Sequence, residues 1–212
     1  MTEDEAKALL ASRYFVPRET MIRLSNFVEL LRTESERQNL IARATFDHIW
    51  SRHILDSAQL VEFAPSARTW LDLGTGAGFP GLIVAALGEA AVTMVDSRKL
   101  RVEFLIRAAE TLKLPSHTRI ICSRVETLKP KICDAISARA FAPLDRLLDI
   151  AAPFAAPQTR WVLPKGRNAQ SELDKIRESW QGLFHVEPSL TDPESGIIVA
   201  EQVRQVRGKR GK

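Results

Sequence analysis

One stretch limits the fold of this chain more than any other: Thr69-Trp70-Leu71-Asp72-Leu73-Gly74-Thr75-Gly76-Ala77-Gly78-Phe79-Pro80-Gly81. An apolar run stops at glycines set on alternate positions, and an amphipathic run follows. The pattern describes a strand turning sharply into a helix, with a bare backbone that lets a small molecule approach closely. Asp96 ends the next apolar run, about 20 residues further on, the distance at which an acid meets a ribose in such folds.

The alternation continues beyond the loop. Short β-rich runs at 70–73, 91–95, 119–122, 135–137 and 159–163 are separated by helical stretches at 81–87, 98–112 and 144–152. In the second helical stretch Leu100, Phe104, Leu105, Ala108, Ala109 and Leu112 share one face. Pro153 ends the third. Strands spaced by helices imply a parallel sheet covered on both sides. Runs at 183–186 and 196–203 follow without a helix between them, and the turn-rich 187–195 gap makes them an antiparallel pair. The expected class is α/β, a mostly parallel seven-stranded sheet with an antiparallel C-terminal edge.

Residues 1–64 read as helical throughout. Leu24, Phe27, Val28 and Leu31 recur at helical spacing, and Phe46, Ile49, Trp50, His53, Ile54, Ser57, Leu60 and Val61 do so over a longer helix. Pro65-Ser66 punctuates the chain. The expected organisation is an N-terminal helical cap at 1–64, the sheet domain at 65–203 and a basic tail at 204–212.

Composition narrows the class. The chain has 212 residues, 45% of them apolar, enough for one α/β domain with an appendage. No apolar run is long enough to span a bilayer, and the acidic start Met1-Thr2-Glu3-Asp4-Glu5 has no secretory pattern, so the reading is cytoplasmic. Cys122 and Cys133 make neither a disulfide framework nor a CxxC pair, and the four histidines show no metal-ligand spacing; no metal is expected. The net charge of +4 permits a polyanionic partner. Five cations and no acid fill 204–212, which suits phosphates or mere solubility. A monomer is the default.

Gly76-Ala77-Gly78-Phe79-Pro80-Gly81 satisfies the GxGxxG dinucleotide fingerprint. Three details oppose that reading. The strand ends at Leu73-Gly74, so the turn begins earlier than the fingerprint. Pro80 has no N–H to offer a phosphate. Asp72 stands just before the glycines, where an acid suits a positively charged ligand. S-adenosylmethionine fits better, with a sulfonium, an ammonium, a ribose diol and no phosphate. Gly74, Gly76 and Gly78 would let it approach, Asp72 would favour its cationic end, Asp96 would take the ribose hydroxyls, and Glu126 would reach the adenine amino group. All three acids fall near the carboxyl ends of parallel strands.

Further segments carry a resemblance. Asp72-Leu73-Gly74-Thr75-Gly76-Ala77-Gly78-Phe79-Pro80-Gly81 resembles a DxGxGxGxPG loop, and Arg52-His53-Ile54-Leu55-Asp56-Ser57 an RHxxDS segment. Ser137-Ala138-Arg139-Ala140 is similar to an SRA element with one residue inserted, Lys165-Gly166 to a KG pair, and Asn39-Leu40 to an NL pair. Together they resemble the bacterial ribosomal RNA small-subunit methyltransferase G family, also called glucose-inhibited division protein B. The likeness runs from about Leu24 to Val203. Glu34-Ser35 replaces the family's Trp-Asn, and Ala138 and Pro164 alter local geometry.

The resemblance implies a class I methyltransferase with a Rossmann-like fold, moving a methyl group from S-adenosylmethionine to N7 of a guanine in 16S rRNA. It implies cofactor contacts at Gly74, Phe79, Val125, Glu126 and Arg139. Arg52, His53, Asp56 and Lys165 become candidate substrate residues, with the small ribosomal subunit or its RNA as partner. Guanine N7 carries no proton, so Arg139 would position rather than act as a base. Arg98, Lys99, Arg101 and Arg107 on one helix are candidate phosphate contacts. A methyltransferase for a small molecule or protein, and a non-enzymatic RNA-binding or cell-division factor with a vestigial pocket, are the alternatives.

Overall fold

The computed structural model describes residues 1–206; most of the basic tail expected at 204–212 lies outside the described residues. Helix α1 (Glu3–Arg13) opens with a capping box, the Thr2 hydroxyl accepting from the Glu5 N–H while the Glu5 carboxylate accepts from the Thr2 N–H. Helix α2 (Arg18–Ser35) follows Pro17 and buries Leu24, Phe27, Val28 and Leu31. Full burial of such a side chain contributes roughly 1.5–3 kcal/mol.

The longer helix expected across Phe46 to Val61 is broken. It consists of a 3-10 turn at Arg43–His48, a π-helical stretch at Trp50–Leu55, and the short α3 (Asp56–Ala58) and α4 (Leu60–Phe63). The break has a tertiary cause. The Glu3 carboxylate accepts hydrogen bonds from the Trp50 N–H at 2.8 Å and the Ser51 N–H at 3.1 Å. A carboxylate from a distant helix thus caps a new helical start in mid-run.

Beyond it, strands and helices alternate: β1 (Thr69–Leu73), α5 (Gly81–Leu87), β2 (Ala91–Asp96), α6 (Lys99–Leu112), β3 (Arg119–Cys122), β4 (Ala135–Ala138), α7 (Leu144–Ala151), β5 (Arg160–Gly166), α8 (Ala169–Ile176), β6 (Trp180–Pro188) and β7 (Gly196–Gln205). Helix α8 is the one element with no counterpart in the sequence reading. The seven strands run in the order β3-β2-β1-β4-β5-β7-β6. β1 to β5 are parallel, and β7 is antiparallel to both β5 and β6.

Two cores flank the sheet. One joins Leu24, Phe27 and Leu31 of α2 to Phe104, Leu105 and Ala108 of α6, with Trp70, Val92 and Met94 from the strands. The other holds Leu71, Leu73 and Val95 against α7 and α8. Leu100, expected on the buried face of α6, is 63% exposed in its first turn, and Val102 is buried instead. The β3–β4 connection carries a single 3-10 turn, Val125–Thr127, and no α-helix.

Candidate functional site

β1 lies between β2 and β4, so its neighbours connect away from it in opposite directions. Open α/β sheets bind ligands at such a switch point, outside the carboxyl ends of the strands. The loop at 74–80 sits there, tied down by Asp72. Asp72 pairs in register with Ser137 of β4. Its carboxylate accepts from the Ser137 hydroxyl at 2.6 Å, the Thr75 hydroxyl at 2.8 Å and the Gly81 N–H at 3.0 Å. A Cβ on Gly81 would stand 2.6 Å from that carboxylate, so only glycine lets α5 approach. Burial pushes the Asp72 pKa up to about 6, against the pull of its three donors. Fully buried beneath the loop, Asp72 meets the loop's own donors rather than the open space above.

This arrangement bears on the choice of cofactor. A pyrophosphate would need free N–H groups at the start of α5. Gly81 already donates to Asp72, Leu82 to Gly78 and Ile83 to Pro80. A carboxylate occupies the place a diphosphate would take.

A cleft of about 680 Å³ opens beside the loop, lined by Gly74, Asp96, Val125 and Glu126 among others. Asp96 accepts from the Gly76 N–H at 3.0 Å and the Arg98 N–H at 2.8 Å, with the Arg101 guanidinium 3.5 Å away. Four lone-pair sites leave room for ribose hydroxyls. Val125 is buried in its 3-10 turn and Glu126 is exposed. Gly74 has φ +64°, and a Cβ there would stand 2.4 Å from the Phe141 ring. Asp96 and Glu126 suit the diol and the adenine amino group of S-adenosylmethionine, while Arg98, Arg101, Arg124 and Arg146 line the same cleft. Gly76, Gly78 and Phe79 do not line this cleft.

A second cleft of about 690 Å³ lies behind residues 140–143, which line both. Asp56, Arg139, Lys165, Asn168 and Lys175 line it. Arg139 stands 3.8 Å from the Asp56 carboxylate and donates to His53 Nδ1 at 2.7 Å and to the Arg52 carbonyl at 3.3 Å. A guanidinium only donates, so His53 Nδ1 accepts and Nε2 carries the proton. Burial, with Arg139 and Arg52 nearby, pushes the His53 pKa down to about 3 and keeps the ring neutral.

Phe79 is the hub of this corner. It stacks on His53 at 5.0 Å, meets Phe27 edge-on at 5.7 Å and carries the Arg139 guanidinium 5.1 Å from its centroid. Asp56 also accepts from Gln59 at 2.8 Å, Ser189 at 3.1 Å and Thr191 at 3.2 Å. Burial raises its pKa, and Arg139 with these donors opposes the rise. The i, i+4 pair of Arg52 with Asp56 is not formed, because Arg139 takes that carboxylate. Lys165, 7% exposed, donates to the Ala142 carbonyl at 2.8 Å and pairs with Glu172 at 3.0 Å. Its ammonium pins the partition between the clefts.

Phe141, Asn168, Lys175 and Ser189 escaped the sequence reading. The 187–195 gap signalled only a turn, whereas α8 does carry a helical period, with Ala169, Leu173 and Ile176 buried at i, i+4 and i+7. Of the candidate phosphate contacts on α6, Lys99 pairs with Glu103, Arg101 with Asp96 and Arg107 with Glu34. Arg98 has no such pair among the described residues and lines the first cleft with Arg124 and Arg146.

Known proteins share this sequence and fold. A family model described as "GidB: rRNA small subunit methyltransferase G" matches residues 21–192. The ribosomal RNA small subunit methyltransferase G of Novosphingobium aromaticivorans is 54% identical, over 99% of this chain and 91% of its own length. That of Zymomonas mobilis is 48% identical, over 100% and 99%. A putative O-methyltransferase from Klebsiella pneumoniae has a similar fold, with TM-score 0.61 at 11% identity over 85% of this chain and 89% of that one. A mutant of MtNAS in complex with S-adenosylmethionine has TM-score 0.59 at 14% identity over 92% and 77%.

Proposed function

The chain belongs to the rRNA small subunit methyltransferase G family, and from that premise we propose that its two clefts deliver a methyl group to N7 of a guanine. Family membership makes it an S-adenosylmethionine-dependent methyltransferase of 16S rRNA. The proposal extends to the residues. One observation carries it: a cleft holding Asp96 and Glu126 and a cleft holding Arg139 and Asp56 share the wall at 140–143, at the switch point of the sheet.

Bound in the first cleft, S-adenosylmethionine supplies an electrophilic methyl carbon on a sulfonium. Asp96 and Glu126 would hold its ribose and adenine ends, while Asp72 keeps the loop closed on Gly81. The second cleft takes the guanine. Arg139 would donate to O6 and turn the N7 edge past the wall toward the first cleft. N7 offers an in-plane lone pair and carries no proton, so accepting the methyl group that the bound cofactor would supply, as its C–S bond breaks, would require no base from the protein. Positive charge passes to the purine, and Asp56 balances Arg139 as it arrives. Neutral His53 adds no competing charge. Catalysis is alignment, with reacting atoms roughly 3–3.5 Å apart. The protein acts as a cytoplasmic monomer.

Incubating the protein with methyl-labelled S-adenosylmethionine and 16S rRNA or small subunits tests this reading. Borohydride reduction and aniline cleavage should then cut the RNA at one guanine. Label at a base nitrogen other than N7 would refute the assignment.

A further inference from the structure

The helix-free β3–β4 connection leaves part of the sheet bare. At the amino ends of the strands, away from both clefts above, lies a third of about 380 Å³. Leu71 of β1, Thr93 of β2 and Ile121 of β3 project from one face into it, with Phe154 closing the floor. Its rim carries Arg119, Lys129 and Lys131, none of which has a carboxylate partner among the described residues. The neighbouring carboxylate, Asp134, forms no ion pair with any of the three. Its carboxylate accepts from the N–H groups of Arg68 and Thr69 and from the Thr69 hydroxyl.

An apolar, base-sized floor under a cationic rim fits one chemistry, a heteroaromatic ring flanked by phosphates. The volume is near the lower end for a single-ligand pocket, about 300–1,000 Å³. Single-stranded RNA is held in this way, with bases on apolar or aromatic surfaces and phosphates on Lys and Arg. We propose that this cleft is a second docking site for the rRNA substrate. An unpaired nucleotide seats its base against the sheet and its flanking phosphates against Arg119, Lys129 and Lys131. Leu71 in its lining stands three residues from Gly74 of the catalytic loop, roughly 10 Å at ~3.3 Å per residue. The RNA is therefore gripped at both ends of the strands. The proposal rests on rRNA as substrate and is independent of which guanine atom is methylated.

The double substitution Lys129→Ala/Lys131→Ala tests it, since both side chains are exposed. Small-subunit RNA should bind at least about fivefold more weakly, and the slope of log Kd against log salt should fall by about 1.4–1.8, two phosphates' worth. KM for RNA should rise with kcat unchanged, and affinity for S-adenosylmethionine should hold, reporting an intact fold. A photo-crosslinking residue in place of Ile132, in the otherwise unaltered protein, should label rRNA. Unchanged RNA affinity and salt slope would overturn the proposal, as would crosslinking to a ribosomal protein. Methylation at another base atom would refute the N7 reading and leave these outcomes intact.

Discussion

The two clefts proposed to hold cofactor and guanine share one wall and are built in opposite ways. The first is made of backbone and strand ends that are neighbours in the sheet: the loop after β1, Asp96 closing β2, and Val125 and Glu126 just beyond β3. The second is made of side chains from α3, the β4 exit, β5 and the β6–β7 connection, segments more than 130 residues apart at their extremes. The difference teaches that the proposed cofactor side is a local property of a turn, whereas the proposed substrate side is a network. Perturbing the first should abolish a step. Perturbing the second should grade it.

The largest effect is expected from Gly74→Val. It forces a β-branched residue to φ +64° and drives a Cβ into the Phe141 ring. Methyl transfer should fall by at least about 1,000-fold with loss of S-adenosylmethionine binding, measured by titration calorimetry. Near-normal cofactor binding would place the ligand elsewhere.

Next is Asp72. Its folded pKa, about 6, lies above the unfolded value near 3.8, so the fold favours the protonated acid. That stabilisation is complete below about pH 4 and is lost as pH rises through 6. The unfolding free energy of the native protein minus that of Asp72→Asn should therefore grow by about 2 kcal/mol from pH 7.5 to pH 4. A difference flat across this range would mean that the buried carboxylate is not perturbed.

Arg139→Lys should come third. A lysine keeps the charge but cannot span Asp56, His53 Nδ1 and the Arg52 carbonyl. A drop in kcat of about 30–100-fold is expected, with cofactor Kd unchanged. If cofactor affinity falls instead, Arg139 serves the first cleft. The smallest effect is Ser189→Ala, which removes one donor from Asp56 and loosens Arg139 at one remove. Loss of a single such bond, about 1 kcal/mol, corresponds to roughly fivefold in kcat. Ser189→Thr should restore the rate, and failure to do so would reduce Ser189 to packing.

Legibility followed the same division. The strand–loop–helix at 69–87, the seven strands and the antiparallel edge were readable because period, glycine and turn residues act over a few positions. The broken helix across Phe46 to Val61 was not, because the cap that breaks it is Glu3. Lys165 shows the limit for single residues. Its motif marked it as important, yet its partners are the Ala142 carbonyl and Glu172 of the unforeseen α8. Arg52 and Asp56 stand at i, i+4 spacing, yet it is Arg139, just beyond β4, that pairs with the Asp56 carboxylate.

The chain's linear order alone determined the α/β class, the glycine loop at the first strand's end, and the acids after the second and third strands. Short-range backbone preference and apolar period suffice for these. Folding in three dimensions decided that Asp72 faces the loop's donors, that His53 is neutral, and that Arg139 joins the cap to the sheet. Burial and partner distance set the charge and direction of each of these groups, and both arise only when remote segments meet.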